Sequence, residues 1–169
     1  PKCAEKLYTK VIYYVKDTEQ KQEVILDLFC GTGTIGQLIA SQIPNAEVIG
    51  VDIVSEAIAD AKKNAKRNKV DGLKFFAADV GKFLQEYPQY NGTISTVVLD
   101  PPRAGIAPKT LKKVVQLNSR RIVYVSCNPA TQARDTEYLV SCGYELKKVS
   151  FVDQFPHTSH VESIILFEK

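Results

Sequence analysis

Two stretches of the sequence combine residue types that do chemistry. The first is the glycine loop Gly31-Thr-Gly33-Thr-Ile-Gly36, which follows the apolar run Glu23–Cys30 and precedes a helical pattern. It fits G-x-G-x-x-G between a strand and a helix, and Asp52 lies 21 residues beyond Gly31. In that arrangement the glycines let a ligand approach the backbone closely, and the acid accepts hydrogen bonds from a ribose. The pattern admits a dinucleotide or an adenosyl ligand. Asp27 tilts the choice, because a carboxylate four residues before the first glycine repels a pyrophosphate but accepts from an amino-acid ammonium. Asp79, at the end of a later strand, is placed either to read an adenine amino group or to cap the next helix. Together the acids favour S-adenosylmethionine, which has an amino-acid tail and no phosphate.

The second stretch is a pair of proline motifs, Asp100-Pro-Pro-Arg103 and Ser126-Cys-Asn-Pro129. A proline directly after a strand stops it and stiffens a loop beyond the sheet edge, where substrates bind. Cys127 therefore stands apart from Cys3, Cys30 and Cys142, which read as packing residues. No CxxC spacing appears, and His157 and His160 have no third ligand nearby, so no metal is expected.

These motifs need elements to hold them. Leu7, Val11, Ile12 and Val15 recur at helical spacing over residues 4–16, with Lys6 and Lys10 between them. Strands are expected at 23–30, 46–52, 73–79, 95–100 and 120–126, alternating with helices at 34–42, 55–68, 80–87, 108–117 and 130–142. Ser55 is expected to cap the second of these helices, whose inner face carries Ala57, Ile58, Ala61 and Ala65. Residues 144–155 and 160–169 read as two closing strands. Alternating strands and helices imply right-handed crossovers, hence an α/β, doubly wound, mostly parallel sheet with helices on both faces. The closing hairpin must insert one antiparallel strand.

Composition agrees with one globular domain. The chain has 169 residues, 44% hydrophobic and 24% charged, with a net charge of +3. Those values exclude disordered and fibrous classes. No apolar run approaches the roughly 18–20 residues of a membrane helix. Scattered cysteines without a pairing pattern fit a reducing, cytoplasmic setting. The mild basicity is compatible with a polyanionic partner. Lys62, Lys63, Lys66, Arg67 and Lys69 crowd one helix end and read as a solvated face that complements the helix dipole.

DLFCGTGTIG, VLDPPRAG, YVSCNPATQARD and FPHTSHVES occur in this order and together resemble the RNA uracil-C5 methyltransferases, which form 5-methyluridine in tRNA or rRNA. The resemblance covers about residues 4–168. It implies a class I methyltransferase fold, Rossmann-like, using S-adenosylmethionine, with RNA as partner. By residue, it implies Cys127 as nucleophile and Glu162 as base. Phe29, Thr34, Asp52 and Asp100 match donor-binding positions, beside Asp27, Gly31, Gly33 and Asp79 from the loop reading. Arg103 is expected to contact RNA phosphate and Asn128 the substrate, and the two histidines to line the loop that aims Glu162. The family's aromatic-x-Gln motif and its RNA-engaging domain lie upstream of the position matching Pro1, so residues 1–169 are expected to be the catalytic domain alone.

The chemistry explains the residue types. C5 of uracil is a poor nucleophile until a thiolate adds to C6, and a carboxylate must later remove the C5 proton. Three other readings use the same motifs. A methyltransferase acting on an exocyclic base nitrogen usually has an aromatic after its Pro-Pro, where this sequence has Arg103. A nicotinamide-dependent oxidoreductase shares the glycine fingerprint. A nucleotide-binding domain without catalysis would not need Cys127 and Glu162 together.

Overall fold

The computed structural model describes residues 2–16, 23–154, 158 and 160–169. The elements are α1 (Lys2–Val15), β1 (Val24–Leu28), α2 (Thr34–Gln42), β2 (Glu47–Asp52), α3 (Ser55–Arg67), β3 (Leu73–Ala77) and α4 (Val80–Glu86). A 3₁₀ turn at Pro88–Tyr90 precedes β4 (Thr96–Leu99), α5 (Pro108–Gln116), β5 (Arg121–Ser126), α6 (Pro129–Ser141), β6 (Glu145–Val152) and β7 (Glu162–Glu168). Among the described residues these strands form a seven-stranded sheet in the order β3-β2-β1-β4-β5-β7-β6. The pairs from β3 through to β5 are parallel, whereas β7 runs antiparallel to both β5 and β6. The doubly wound sheet with a closing hairpin is thus as expected, and β7 is its antiparallel strand. No helix among the described residues is long and apolar enough to cross a membrane.

The central strands are apolar on both faces because helices cover both. On one side Val11, Ile12 and Val15 of α1 and Ile35 and Ile39 of α2 pack on Ile25, Val98, Val123, Val125, Ile164 and Leu166. On the same side Ile58, Ala61 and Ala65 of α3 pack on Phe75. On the other side Val80, Phe83 and Leu84 of α4, Leu111 and Val114 of α5, and Leu139 of α6 meet Leu26, Leu99, Ile122, Tyr124, Ile165 and Phe167. The order reverses between β1 and β4, on either side of which the chain leaves the sheet in opposite directions. A ligand crevice belongs at the carboxyl ends of those strands.

One local expectation needs correction. Ser55 is the first residue of α3 rather than its cap; the cap position is Val54, and no side chain caps it. The physical reason lies in Asp52, whose Oδ1 accepts from the Val54 N–H at 2.9 Å and already fixes the turn into the helix.

Candidate active site

The glycine loop leaves β1 through two left-handed residues, Phe29 (φ 62°) and Gly31 (φ 54°), before Gly33 (φ 76°) leads into α2. A Cβ on Gly33 would lie 2.7 Å from the Phe75 ring, so glycine is required there for packing. Gly31 differs, because a Cβ there would meet nothing within 4 Å. Its backbone faces open space, which is the approach a ligand needs. The Gly31 N–H donates to Asp52 Oδ2 at 2.9 Å. Asp52 thus ties the first glycine of the loop to the start of α3, and each of its oxygens retains a second lone pair.

Asp27 lies under this loop with 0% of its surface exposed. Neither of its carboxylate oxygens has a hydrogen-bond partner of good geometry, and the Gly36 backbone N–H only partly offsets the cost of its burial. Burial, then the nearby Asp100, push its pKa up to about 8. A buried orphan carboxyl is costly unless a donor or cation is supplied from outside. The site therefore fits a ligand carrying an ammonium group, and it disfavours a pyrophosphate. Cys30 is unsuited to thiolate chemistry, since burial, with Asp27 and Asp52 adding to it, pushes its thiol well above the ordinary range.

Beside the loop a cleft of about 390 Å³ is lined by Phe29, Asp52, Ile53, Val54, Asp79 and Asp100, among others. Ile53 and Val54 are apolar yet exposed at 68% and 48%. Paired with the flanking acids, they suit an aromatic heterocycle with polar edges. Both alternatives for Asp79 meet here: its Oδ1 accepts from the Lys82 N–H at 2.9 Å, capping α4, and the residue also lines the cleft. Thr34 is exposed at the first position of α2.

The other end of the site is built by strand alternation. Val98, Val123, Val125, Ile164 and Leu166 face the α1 layer. Continuing that alternation carries Asp100 past β4, Cys127 past β5 and Glu162 at the start of β7 to the same side. Ser126 pairs with Ser163, so Cys127 and Glu162 adjoin the last rung of the β5–β7 ladder. Electrostatics link these groups. Burial raises the Asp100 pKa to about 7, and the Glu162 charge adds to the rise. Burial also raises Glu162, while the Arg103 guanidinium opposes it. The Tyr8 hydroxyl of α1 is pushed up by burial and then by Asp100 and Glu162. Cys127 itself is half-buried and is not in a disulfide.

A network on α6 holds the two proline loops together. Asn128 Nδ2 donates to the Arg103 carbonyl at 2.9 Å, while its Oδ1 accepts from the Ala130 N–H and caps the helix. Thr131 Oγ1 donates to the same Arg103 carbonyl at 3.0 Å. Asp135 is buried and accepts from the Ile106 N–H at 3.1 Å and from the Tyr124 hydroxyl at 2.7 Å. Arg134 pairs with Asp135 and donates to the Ala104 and Ile106 carbonyls. Gln132 donates to the Tyr124 carbonyl and accepts from Ser163, tying β5 to β7. Asn128, expected to touch substrate, spends one N–H and one lone pair of its carboxamide on the protein and keeps a second of each.

Sequence reading missed Tyr8, Gln132, Arg134 and Asp135. The last three stand in YVSCNPATQARD, so the motif was visible while its role was not. Tyr8 had no local signal beyond its place in an amphipathic helix. His160 Nδ1 lies 3.5 Å from Arg103, and His157 falls outside the described residues. Among the described residues no group of three or more His, Cys, Asp or Glu side chains is arranged to hold a metal.

The family model described as tRNA (Uracil-5-)-methyltransferase matches residues 2–169. An "uncharacterized RNA methyltransferase" of Clostridium acetobutylicum is 44% identical over 99% of the chain and 35% of its own length. The 23S rRNA (uracil(1939)-C(5))-methyltransferase RlmD of Haemophilus influenzae is 42% identical over 87% of the chain and 33% of its own length. Among solved structures, the Pyrococcus abyssi tRNA (uracil-54, C5)-methyltransferase in complex with S-adenosyl-L-homocysteine superposes with a TM-score of 0.78. Its identity is 34%, covering 96% of this chain and 37% of that one. The chain spans about a third of the length of the curated relatives it matches.

Proposed function

The chain belongs to the tRNA (uracil-5-)-methyltransferase family, and from that premise we propose that it transfers a methyl group from S-adenosylmethionine to C5 of a uridine in tRNA or rRNA, through a covalent bond between Cys127 and C6. Its fold is that of the class I methyltransferases. The observation that carries the mechanism is the Ser126–Ser163 pairing, which joins the segments bearing Cys127 and Glu162 at the sheet end where Asp100 leaves β4.

The donor would lie across the open face of Gly31, with the orphan carboxyl of Asp27 accepting from its ammonium group. Asp52 would accept from the ribose hydroxyls, and Phe29, Asp79 and Asp100 would line the adenosyl cleft beside Gly33 and Thr34. When bound, S-adenosylmethionine supplies the methyl as an electrophile.

Cys127 acts as a thiolate. Its sulfur forms a bond to C6 of the uracil, and the C5=C6 electron pair moves toward the O4 carbonyl as an enolate, which makes C5 nucleophilic. Once the C5 electron pair has taken the methyl, with S-adenosylhomocysteine as the leaving group, Glu162 removes the remaining C5 proton. That C–H electron pair re-forms C5=C6 and expels the Cys127 thiolate. Arg103 is exposed and would be the phosphate contact. Asn128 serves as a positioning residue, holding the loop of Arg103 against the nucleophile loop.

Covalent trapping tests this reading. RNA containing 5-fluorouridine, incubated with the protein and donor, should form an adduct stable to denaturation, because fluorine cannot leave as a proton does. Cys127→Ser should form none. An adduct yield in Cys127→Ser equal to that of the parent protein would overturn the mechanism.

A further inference from the structure

Outside the cleft, a second and larger depression of about 660 Å³ runs between α1 and the end of β6. Lys2, Glu5, Lys6 and Lys10 line its helix side, and Phe151 and Val152 its strand side. The three lysines stand at i, i+4 and i+8 and so form one stripe along α1, with about 6 Å of axial rise between successive members. Glu5 is the single acid among these lining groups. Val152 pairs with Glu162 across β6 and β7, so the depression begins one strand away from the proposed base. Its aromatic wall is unusually open: Phe151 is 69% exposed. Farther along α1, Tyr13 is 60% exposed, with the Lys10 and Lys148 ammonium groups 5.6 and 4.9 Å from its ring.

A row of cations interleaved with exposed rings, opening beside a site that acts on a base, has the composition of a single-strand nucleic-acid track. We propose that this groove binds the single-stranded RNA flanking the target uridine, with Lys2, Lys6 and Lys10 contacting successive phosphates and Phe151 stacking on a neighbouring base. The assignment rests on the reading that the substrate is RNA. Cation spacing along the helix matches an extended strand, and the groove shares no lining residue with the donor cleft. Because the contacts are to phosphate and ring faces, the groove adds affinity and register rather than sequence choice. The cluster on α3 makes a natural control, since Lys62, Lys63 and Lys66 carry the same charge on a different part of the surface.

The test is binding of a fluorescent single-stranded uridine-containing RNA 12-mer, measured by anisotropy over a range of salt concentrations. Lys2→Gln/Lys6→Gln/Lys10→Gln should weaken binding tenfold or more and reduce the salt slope by about 2, at roughly 0.7 per phosphate contact. Lys62→Gln/Lys63→Gln/Lys66→Gln should retain affinity within about twofold, as expected for charges far from the contact. Phe151→Ser should weaken binding fivefold or more with the slope unchanged, and it serves alone should the triple variant melt early. Equal losses in the α1 and α3 variants would reduce the effect to net charge, and no loss in either would leave the groove to a protein partner; both results overturn the proposal. Methyl transfer by the parent protein is scored on the same RNA. Transfer without a groove effect overturns the groove alone, whereas a groove effect without transfer overturns the methylation reading alone.

Discussion

Ser126 pairs with Ser163 across β5 and β7, and Gln132 of α6 bonds to both the Ser163 hydroxyl and the Tyr124 carbonyl. One register therefore sets the residue that follows Ser126, Cys127, next to the one that precedes Ser163, Glu162, at the end of the ladder. A slip of one residue would turn Glu162 to the opposite face of the sheet.

That carboxylate should reveal itself in the pH profile. A base must be deprotonated, and burial holds Glu162 above the ordinary range while Arg103 draws it back. The acid limb of turnover is expected above the pH of an exposed glutamate. Arg103→Ala removes the opposing charge, so the limb should move to still higher pH. A limb that stays in place or moves down would show that Arg103 does not act on Glu162. Glu162→Gln should still form the covalent adduct with ordinary uridine RNA but release product at least a hundredfold more slowly, in line with the usual contribution of a general base.

Asp27 predicts a trade between stability and ligand affinity. Its pKa is raised from 3.8 to about 8 in the folded chain, so the native state holds a proton that the unfolded chain has released. The sign follows: its contribution is fully present below about pH 4 and is lost as pH rises toward 8. At roughly 1.4 kcal/mol per pH unit, the loss is at most on the order of 6 kcal/mol. Asp27→Asn should flatten the stability curve between pH 5 and 8 and raise the melting temperature at pH 8. It should also weaken S-adenosylhomocysteine binding at least tenfold, because the amide cannot pair with an ammonium as a carboxylate does. Unchanged affinity by calorimetry would remove Asp27 from the donor site.

Asn128→Ala removes a helix cap worth about 1 kcal/mol and the bond to the Arg103 carbonyl. Turnover should fall several-fold while S-adenosylhomocysteine affinity stays within twofold. Asn128→Asp, which keeps the cap but loses the donor to Arg103, should recover stability and leave turnover low. Recovery of both would reduce the residue to a cap.

Gly105→Ala tests the loop anchored by Asp135. Gly105 has a φ of 76°, and an added Cβ would lie 2.6 Å from Arg134 Nη2 and 3.0 Å from Asp135 Oδ2. Left-handed strain alone costs about 1–2 kcal/mol, which for a chain of this size lowers the melting temperature by roughly 2–8 °C. Thermal melts of the variant check this, and an unshifted midpoint would mean that the anchor yields freely.

The elements and most of the site were legible because their causes are local. Apolar runs such as Val24–Leu28, a left-handed glycine at the end of β1, and prolines after strands each carry a signal within a few residues. Ser55 misled because a cap residue and a first-turn residue look alike until a competing acceptor, here Asp52, is in place. The bond from Asn128 to the Arg103 carbonyl left no mark for a related reason: a carboxamide has the same local signal whether it faces substrate or a neighbouring loop. Tyr8 and the α1 groove depend on how a helix and a distant edge strand meet, and such long-range adjacency leaves no mark on either segment alone.

The hairpin strand β7 has one further consequence. Glu162 belongs to the hydrogen-bonded ladder and Cys127 follows its last rung, so neither backbone is free to travel far toward a pyrimidine. On the proposed chemistry the nucleic acid does the moving: the target ring must swing out of its stack to meet the pair, at a cost of a few kcal/mol. Uridines already looped out or mispaired would then be taken first.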